Sequence, residues 1–302
     1  MWFLNCRAEP VGGDTSPVRI TDGTLTYLTY PQFLADIRGR HVLLGIHGFN
    51  VHQAGAVDHM QEWSKLLTLD PLAVFVGVLW PGDSSWLAAM EYPFATKAAT
   101  RSGDAIAEFI TTSMSEALSV SFVTHSLGAR VALESIQGLS STASVPRLIM
   151  MAPAIDDNCL TGEFAIAAKR VVEISILASD CDKVLKLAFP LGNPLSGIFS
   201  VGHPYWHAAL GRSGPSKYPT PNNIEAGWLL PNSWTVDHGD YLPPAGPYPA
   251  GYSPEPYTIP LDFPDPASIA PAAGTPTVFD IKGKYLYWQS AWTAALTSWR
   301  FR

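Results

Sequence analysis

Residues 119 to 130, Ser-Val-Ser-Phe-Val-Thr-His-Ser-Leu-Gly-Ala-Arg, set a serine where a β-type run meets a helix-forming run with no ordinary turn residue between them. Serine is a weak nucleophile until a base takes its proton, and the base needs a partner that holds its tautomer and stabilises the imidazolium. Acyl transfer also needs two amides aimed at the developing oxyanion, each worth about 3 kcal/mol of transition-state stabilisation. If Ser126 does chemistry, the chain must therefore supply a histidine, an acid and a second backbone donor. The competing reading of Ser126 is a helix cap, a position serine fills well.

The surrounding elements can be read from periodicity. Val120, Phe122 and Val123 form a short buried strand, and Ala129, Val131, Ala132, Leu133 and Ile136 recur at helical spacing. Up to about residue 200, β-type runs alternate with helical ones, which predicts an α/β fold with a mainly parallel sheet and helices on both faces. Strands are expected over 41 to 46, 73 to 80, 147 to 152 and 171 to 177, with 2 to 6 and 25 to 30 as edge strands. Helices are expected over 56 to 67 and 102 to 118. Active sites of such sheets collect at the carboxyl ends of the strands. Asp156 and Asp157 follow one of those ends, and Asp180 and Asp182 another.

A serine at such a corner, preceded by His125 and followed by Leu127-Gly128, resembles the nucleophile elbow of α/β-hydrolases, whose partners follow in the order serine, acid, histidine. Of the eight histidines, only His203, His207 and His238 lie beyond the candidate acids. His238 is favoured because Trp234 to Tyr241 is a short β-like run broken by glycine, a loop able to raise a side chain above a sheet. Asp182 is the favoured acid, with Asp180 the close alternative and Asp156 a weaker one. Helix capping is the competing role for Asp182. His47-Gly48-Phe49-Asn50, directly after a strand, is placed to give the second amide, from Phe49, beside that of Leu127. A tight strand exit is its other reading.

Taken together, Val42 to Val51, Leu79-Trp80-Pro81-Gly82, Thr124-His125-Ser126-Leu127-Gly128, Ala152 to Asp156 and Ser179 to Asp182 resemble a bacterial branch of the α/β-hydrolase superfamily, mostly of unassigned function. Phe3 to Arg7 is similar to that branch's opening strand, and the resemblance runs over roughly residues 1 to 241. It implies Ser126 as nucleophile, Asp182 as acid and His238 as base; with Phe49 and Leu127 as the oxyanion donors read from position, the mechanism needs no metal or organic cofactor. Thr124 stands where the elbow pattern has its first glycine, as in many members of the branch. Asp83 departs from the small polar residue usual after Trp-Pro-Gly. The expected activity is hydrolysis of a carboxylic ester, a small-molecule substrate of open acyl-chain length, through an acyl-enzyme. An amidase, peptidase or thioesterase with the same triad is the alternative within enzymes, and a non-catalytic scaffold that binds a protein partner is the alternative outside them. His47, Phe49, Asn50, Trp80, Trp86, Tyr205 and Trp206 are candidates for substrate contacts, although aromatic residues are more often core.

The remaining features bound the setting. With 302 residues the chain is long enough to bury about three quarters of its unfolded surface. A net charge of −7 with 15% charged residues argues against nucleic acid as a partner. The start lacks a basic region and a long apolar run, and no uncharged apolar run reaches the ~18 residues that span a bilayer. A cytoplasmic protein without a transmembrane segment is expected. Cys6, Cys159 and Cys181 show no metal or redox spacing and are expected as reduced thiols, with a Cys159–Cys181 bridge as the alternative. Residues 1 to 242 are expected to form the catalytic domain. Residues 243 to 302, rich in proline and aromatics, are expected as an extension packed on it, as a lid or an edge cover.

Overall fold

In the computed structural model, the described residues are 1–8, 15–67, 69, 71–83, 88–187, 208–216, 224, 228–229, 232 and 236–241. Among these residues, eight strands form one sheet in the order β2-β1-β4-β3-β5-β6-β7-β8. They are β1 (Trp2–Arg7), β2 (Thr15–Thr21), β3 (His41–Ile46), β4 (Ala73–Leu79), β5 (Ser119–His125), β6 (Val145–Met151), β7 (Val171–Ala178) and β8 (Trp228–Leu229). All neighbours pair in parallel except β1 with β2. The helices are α1 (Tyr30–Ile37), α2 (Gln53–Leu66), α3 (Ala88–Ser113), α4 (Gly128–Gly138) and α5 (Ala165–Arg170). A short helix, Leu210–Ser213, and a 3-10 turn, His238–Tyr241, follow.

The strand sequences explain their places. Val42, Leu44 and Ile46 of β3 and Phe122 and Val123 of β5 are fully buried, as expected where a parallel strand is covered on both faces and reads as a continuous apolar run. The edge strand β2 carries Pro17, whose missing N–H is tolerated only at an edge. Right-handed crossovers put α2, which leads from β3 outward to β4, on one face. They put α3, α4 and α5 on the other, where α3 packs on α4 and α4 on α5. Gly103 permits the α3–α4 approach, since a Cβ there would come within 2.3 Å of the Glu134 Cβ.

The direction in which the connections cross the sheet reverses between the parallel strands β3 and β5: β3 leads to β4 on one side, and β5 leads to β6 on the other. This is a topological switch point, and the crevice above it is where ligands bind in open parallel sheets.

Several expectations need correction. Residues 25 to 30 are not a strand. They hold a bridge from Tyr27 to Thr21 and then the Thr29 cap of α1, whose capping box with Gln32 and whose Pro31 start a helix. The edge belongs to Thr15–Thr21 instead, so β1 lies one strand in. Helix α3 begins fourteen residues before the expected 102, at Ala88, and ends at Ser113. The expected extension over 243 to 302 lies outside the described residues.

Among the described residues no helix is long and apolar enough to cross a membrane. The three cysteines are free; Cys6 and Cys159 are buried, and the Cys181 thiol faces the Asn232 carbonyl instead of Cys159.

Candidate active site

Strand β5 ends at His125, and the chain turns into α4 with no intervening loop. Ser126 takes up the turn with φ +55°, the left-handed region that a non-glycine residue enters only when its surroundings enforce it. Its amide donates to the Met151 carbonyl at 2.9 Å, and its carbonyl accepts from Ala129 and Ala154, each at 3.2 Å. The strained corner is therefore tied to the end of β6 and to the first turn of α4.

Gly128 is required because a Cβ there would lie 2.5 Å from the His47 carbonyl oxygen and 2.8 Å from that of Ile46. Thr124 fits at the other position of the motif: its side chain is buried within the sheet and its hydroxyl reaches the Ile149 carbonyl at 3.4 Å.

The histidine arrives from far along the chain. His238 opens the 3-10 turn, and its Nε2 lies 2.8 Å from Ser126 Oγ. Its Nδ1 lies 2.7 Å from Asp182 Oδ2. In that order the serine hydroxyl donates to Nε2 and the Nδ1–H donates to the carboxylate. Asp182 is completely buried just past β7, and its second oxygen accepts the Leu185 amide at 2.7 Å. Asp180 is exposed, and its backbone carbonyl accepts from Arg212. Asp156 bridges to Ala209 through its backbone. Of the candidate acids, the structure brings Asp182 to the imidazole.

Three further ties hold the His238 loop to the Asp182 loop. Ser179 Oγ donates to the Val236 carbonyl at 2.6 Å. Asp237 Oδ1 accepts both the Lys183 and the His238 amides at 2.9 Å, and its Oδ2 pairs with the Lys183 ammonium at 3.2 Å. Burial opposes ionisation of Asp237, but these bonds outweigh it and hold the carboxyl below its usual range. Asp237 carries no motif of its own, and its place beside His238 is the one signal of this role in the sequence.

The loop after β3 lies directly on the serine. A Cβ on Gly48 would come within 2.9 Å of the Ser126 Cβ. Among the described residues the Phe49 and Leu127 amides have no hydrogen-bond partner, whereas the Asn50 amide is taken by the Gly82 carbonyl at 2.6 Å. Asn50 has φ +60°, which asparagine tolerates better than most residues.

His47 and Trp80, expected at the substrate, are instead both fully buried, with rings stacked at 5.6 Å. The Trp80 indole donates to the His47 carbonyl at 2.8 Å, and the Trp80 amide donates to His47 Nε2 at a long 3.4 Å. His47 Nδ1–H then donates to the Gly48 carbonyl at 2.8 Å. Burial lowers the His47 pKa to about 4, so this tautomer is neutral near pH 7. Both residues brace the loop from behind. Phe49 is half-buried and Asn50 exposed. Trp86, Tyr205 and Trp206, and the rival bases His203 and His207, lie outside the described residues.

Arg7 and Asp83 brace the same region one layer further back, through a buried ion pair. Arg7 Nη1 also donates to the Trp80 carbonyl at 2.9 Å. Asp83, the unusual residue after Trp-Pro-Gly, thus has a partner at the end of β1.

Residues 29–200 match the family described as alpha/beta hydrolase of unknown function (DUF900), more than half of the chain. The chain belongs to that family. No curated protein matches this hydrolase. Among solved structures it is similar to phospholipase PlaB from Legionella pneumophila at 16% identity and a TM-score of 0.22, over 40% of this chain and 26% of that one. So partial a likeness carries no argument about the hydrolase's activity. Among the described residues no group of three or more histidine, cysteine, aspartate or glutamate side chains is arranged to hold a metal ion.

Proposed function

We propose that this α/β hydrolase cleaves carboxylic esters through an acyl-enzyme, with Ser126 as nucleophile, His238 as general base and Asp182 as its partner. The observation that carries the reading is the unbroken hydrogen-bonded line from Ser126 Oγ through the His238 ring to the buried Asp182, on a serine held at φ +55°. A nucleophile within hydrogen-bond reach of a base that is itself oriented by an acid is the arrangement acyl transfer needs.

In the first step Ser126 Oγ attacks the ester carbonyl carbon while its proton passes to His238 Nε2. The carbonyl π electrons move onto oxygen, and that oxyanion lies against the Phe49 and Leu127 amides. The intermediate collapses with cleavage of the bond to the alcohol oxygen, which takes the proton from His238. Water then attacks the acyl-serine, giving its proton to His238. Collapse of the second intermediate releases the carboxylic acid and returns the proton to Ser126. Asp182 stays ionised throughout and stabilises the imidazolium. No step needs a metal or organic cofactor. In this reading Phe49, half-buried, and Asn50, exposed, are the candidate substrate contacts among the described residues.

A fluorophosphonate probe tests the reading. Labelling of the wild type that is lost in Ser126→Ala supports it, and no labelling of the folded wild type overturns it in favour of a non-catalytic scaffold. Turnover of a p-nitrophenyl ester series from acetate to palmitate, set against matching anilides and thioesters, then reads the acyl length and separates an esterase from an amidase or thioesterase.

A further inference from the structure

His125 ends β5 immediately before Ser126, and the hydrolytic mechanism gives it no task. It is 8% exposed, a costly place for a polar ring without partners. Its Nε2 lies 2.8 Å from the backbone carbonyl oxygen of His238. A carbonyl only accepts, so His125 Nε2 carries the hydrogen and donates it. The two imidazoles lie 4.9 Å apart at 50°, and the Tyr241 ring, from the same 3-10 turn as His238, lies 6.4 Å from the His125 ring. The opposite edge of the His125 ring faces the loop after β3: a Cβ on Gly48 would stand 3.0 Å from His125 Nδ1. Burial, and then the neighbouring His238, lower its pKa to about 3, so near neutral pH the ring donates through Nε2 alone.

His238 belongs to no strand or long helix, and its position depends on side-chain ties. Its amide is held by Asp237 Oδ1 and its carbonyl by His125. We propose that His125 is a positioning residue: it clamps the backbone carbonyl of His238 and, by packing under Gly48, sets the imidazole in register with both Ser126 and the oxyanion loop. The proposal rests on the hydrolytic reading for the use made of that position. Displacement of a catalytic group by ~1 Å costs about 10²-fold in rate, so a single backbone clamp is enough to matter.

The comparison of His125→Met with His125→Gln tests this. Glutamine puts an N–H donor four bonds from Cα, as histidine Nε2 does, whereas methionine has similar length and no donor. With the full chain and a p-nitrophenyl ester, the methionine variant is expected to lose about 10²-fold in kcat with KM nearly unchanged. Fluorophosphonate labelling should slow in proportion, and glutamine should recover most of the loss. The low-field proton resonance of the His238–Asp182 hydrogen bond should broaden or vanish with methionine and return with glutamine. If wild-type labelling proceeds and the methionine variant matches it in rate and resonance, the positioning role is overturned and the hydrolytic reading stands. If the wild type is not labelled but the resonance still follows the donor, the hydrolytic reading fails and the clamp stands. Equal impairment by both substitutions, at equal thermal stability, also overturns the clamp. His125→Leu replaces the methionine variant if that chain does not fold.

Discussion

Gly48 and Ser126 belong to different strand ends, yet the glycine Cα lies so close over the serine that a Cβ would fall 2.9 Å from the serine Cβ. The contact is with a buried Cβ on a constrained corner and not with the free end of a flexible side chain, so the loop itself must move to accept any larger residue. Gly48→Ala should fold but carry the Phe49 amide away from the carbonyl oxygen. The expected loss is 10²- to 10³-fold in kcat, or about 3 kcal/mol, as for removal of an oxyanion donor. Steady-state ester hydrolysis beside a thermal melt checks this; an unchanged kcat would remove Phe49 from the mechanism.

Asp182 and Asp180 stand two residues apart with opposite surroundings, one fully buried against His238 and the other in solvent. Asp182→Asn should reduce kcat by roughly 10⁴-fold while preserving the fold, because an amide supports the wrong tautomer of the base. Asp180→Asn should change kcat by less than about threefold, since an exposed side chain away from the site contributes little. Comparable damage from both would overturn the assignment of the acid.

The Arg7–Asp83 ion pair has both side chains fully buried. Removal of Arg7 leaves the buried Asp83 carboxylate facing the exposed His52 ring, 3.5 Å from its Oδ2, so Arg7→Met should cost about 3 kcal/mol in urea unfolding. The double variant Arg7→Met/Asp83→Leu should recover most of that, because apolar residues of similar volume replace buried pairs at little cost. Activity should fall in the single variant beyond its effect on the folded fraction, since Arg7 also holds the Trp80 carbonyl behind the oxyanion loop.

His47 and His125 are buried neutral, with pKa values near 4 and 3 against the ordinary 6.5. The unfolded chain therefore binds more protons than the folded one below pH 6.5, and stability falls as pH drops from 6.5 towards 4 and 3. For His47 alone the loss is on the order of 3 kcal/mol. Urea midpoints measured from pH 7 to pH 4 should show this slope, and His125→Gln, which cannot titrate, should flatten it. A stability independent of pH across that range would show that the two rings are not held neutral.

The parallel sheet and its elbow were legible because β3 and β4 are almost continuous apolar runs and β5, β6 and β7 each carry an apolar stretch, Phe122-Val123, Leu148 to Met151 and Ile176 to Ala178, and a strand buried on both faces declares itself by composition. The positions of Ser126, Asp182 and His238 were legible for a related reason: each follows a strand end or a glycine-broken loop, and parallel strands bring such ends to one edge. The edge of the sheet was not, since Thr15–Thr21 pairs on one side only and its Pro17, Arg19 and half-exposed pattern look like a loop. Nor were the supports of the site. His47 and Trp80 carry residue types that suit substrate contact, and only packing turned them inward to brace the loop. Asp83 looked like a departure from a motif until the end of β1 supplied Arg7 across the sheet. Local pattern determines which residues stand at the ends of strands. Which of them touch is decided by the order of strands in the sheet, because that order sets the long-range distances from His125 to His238 and from Arg7 to Asp83.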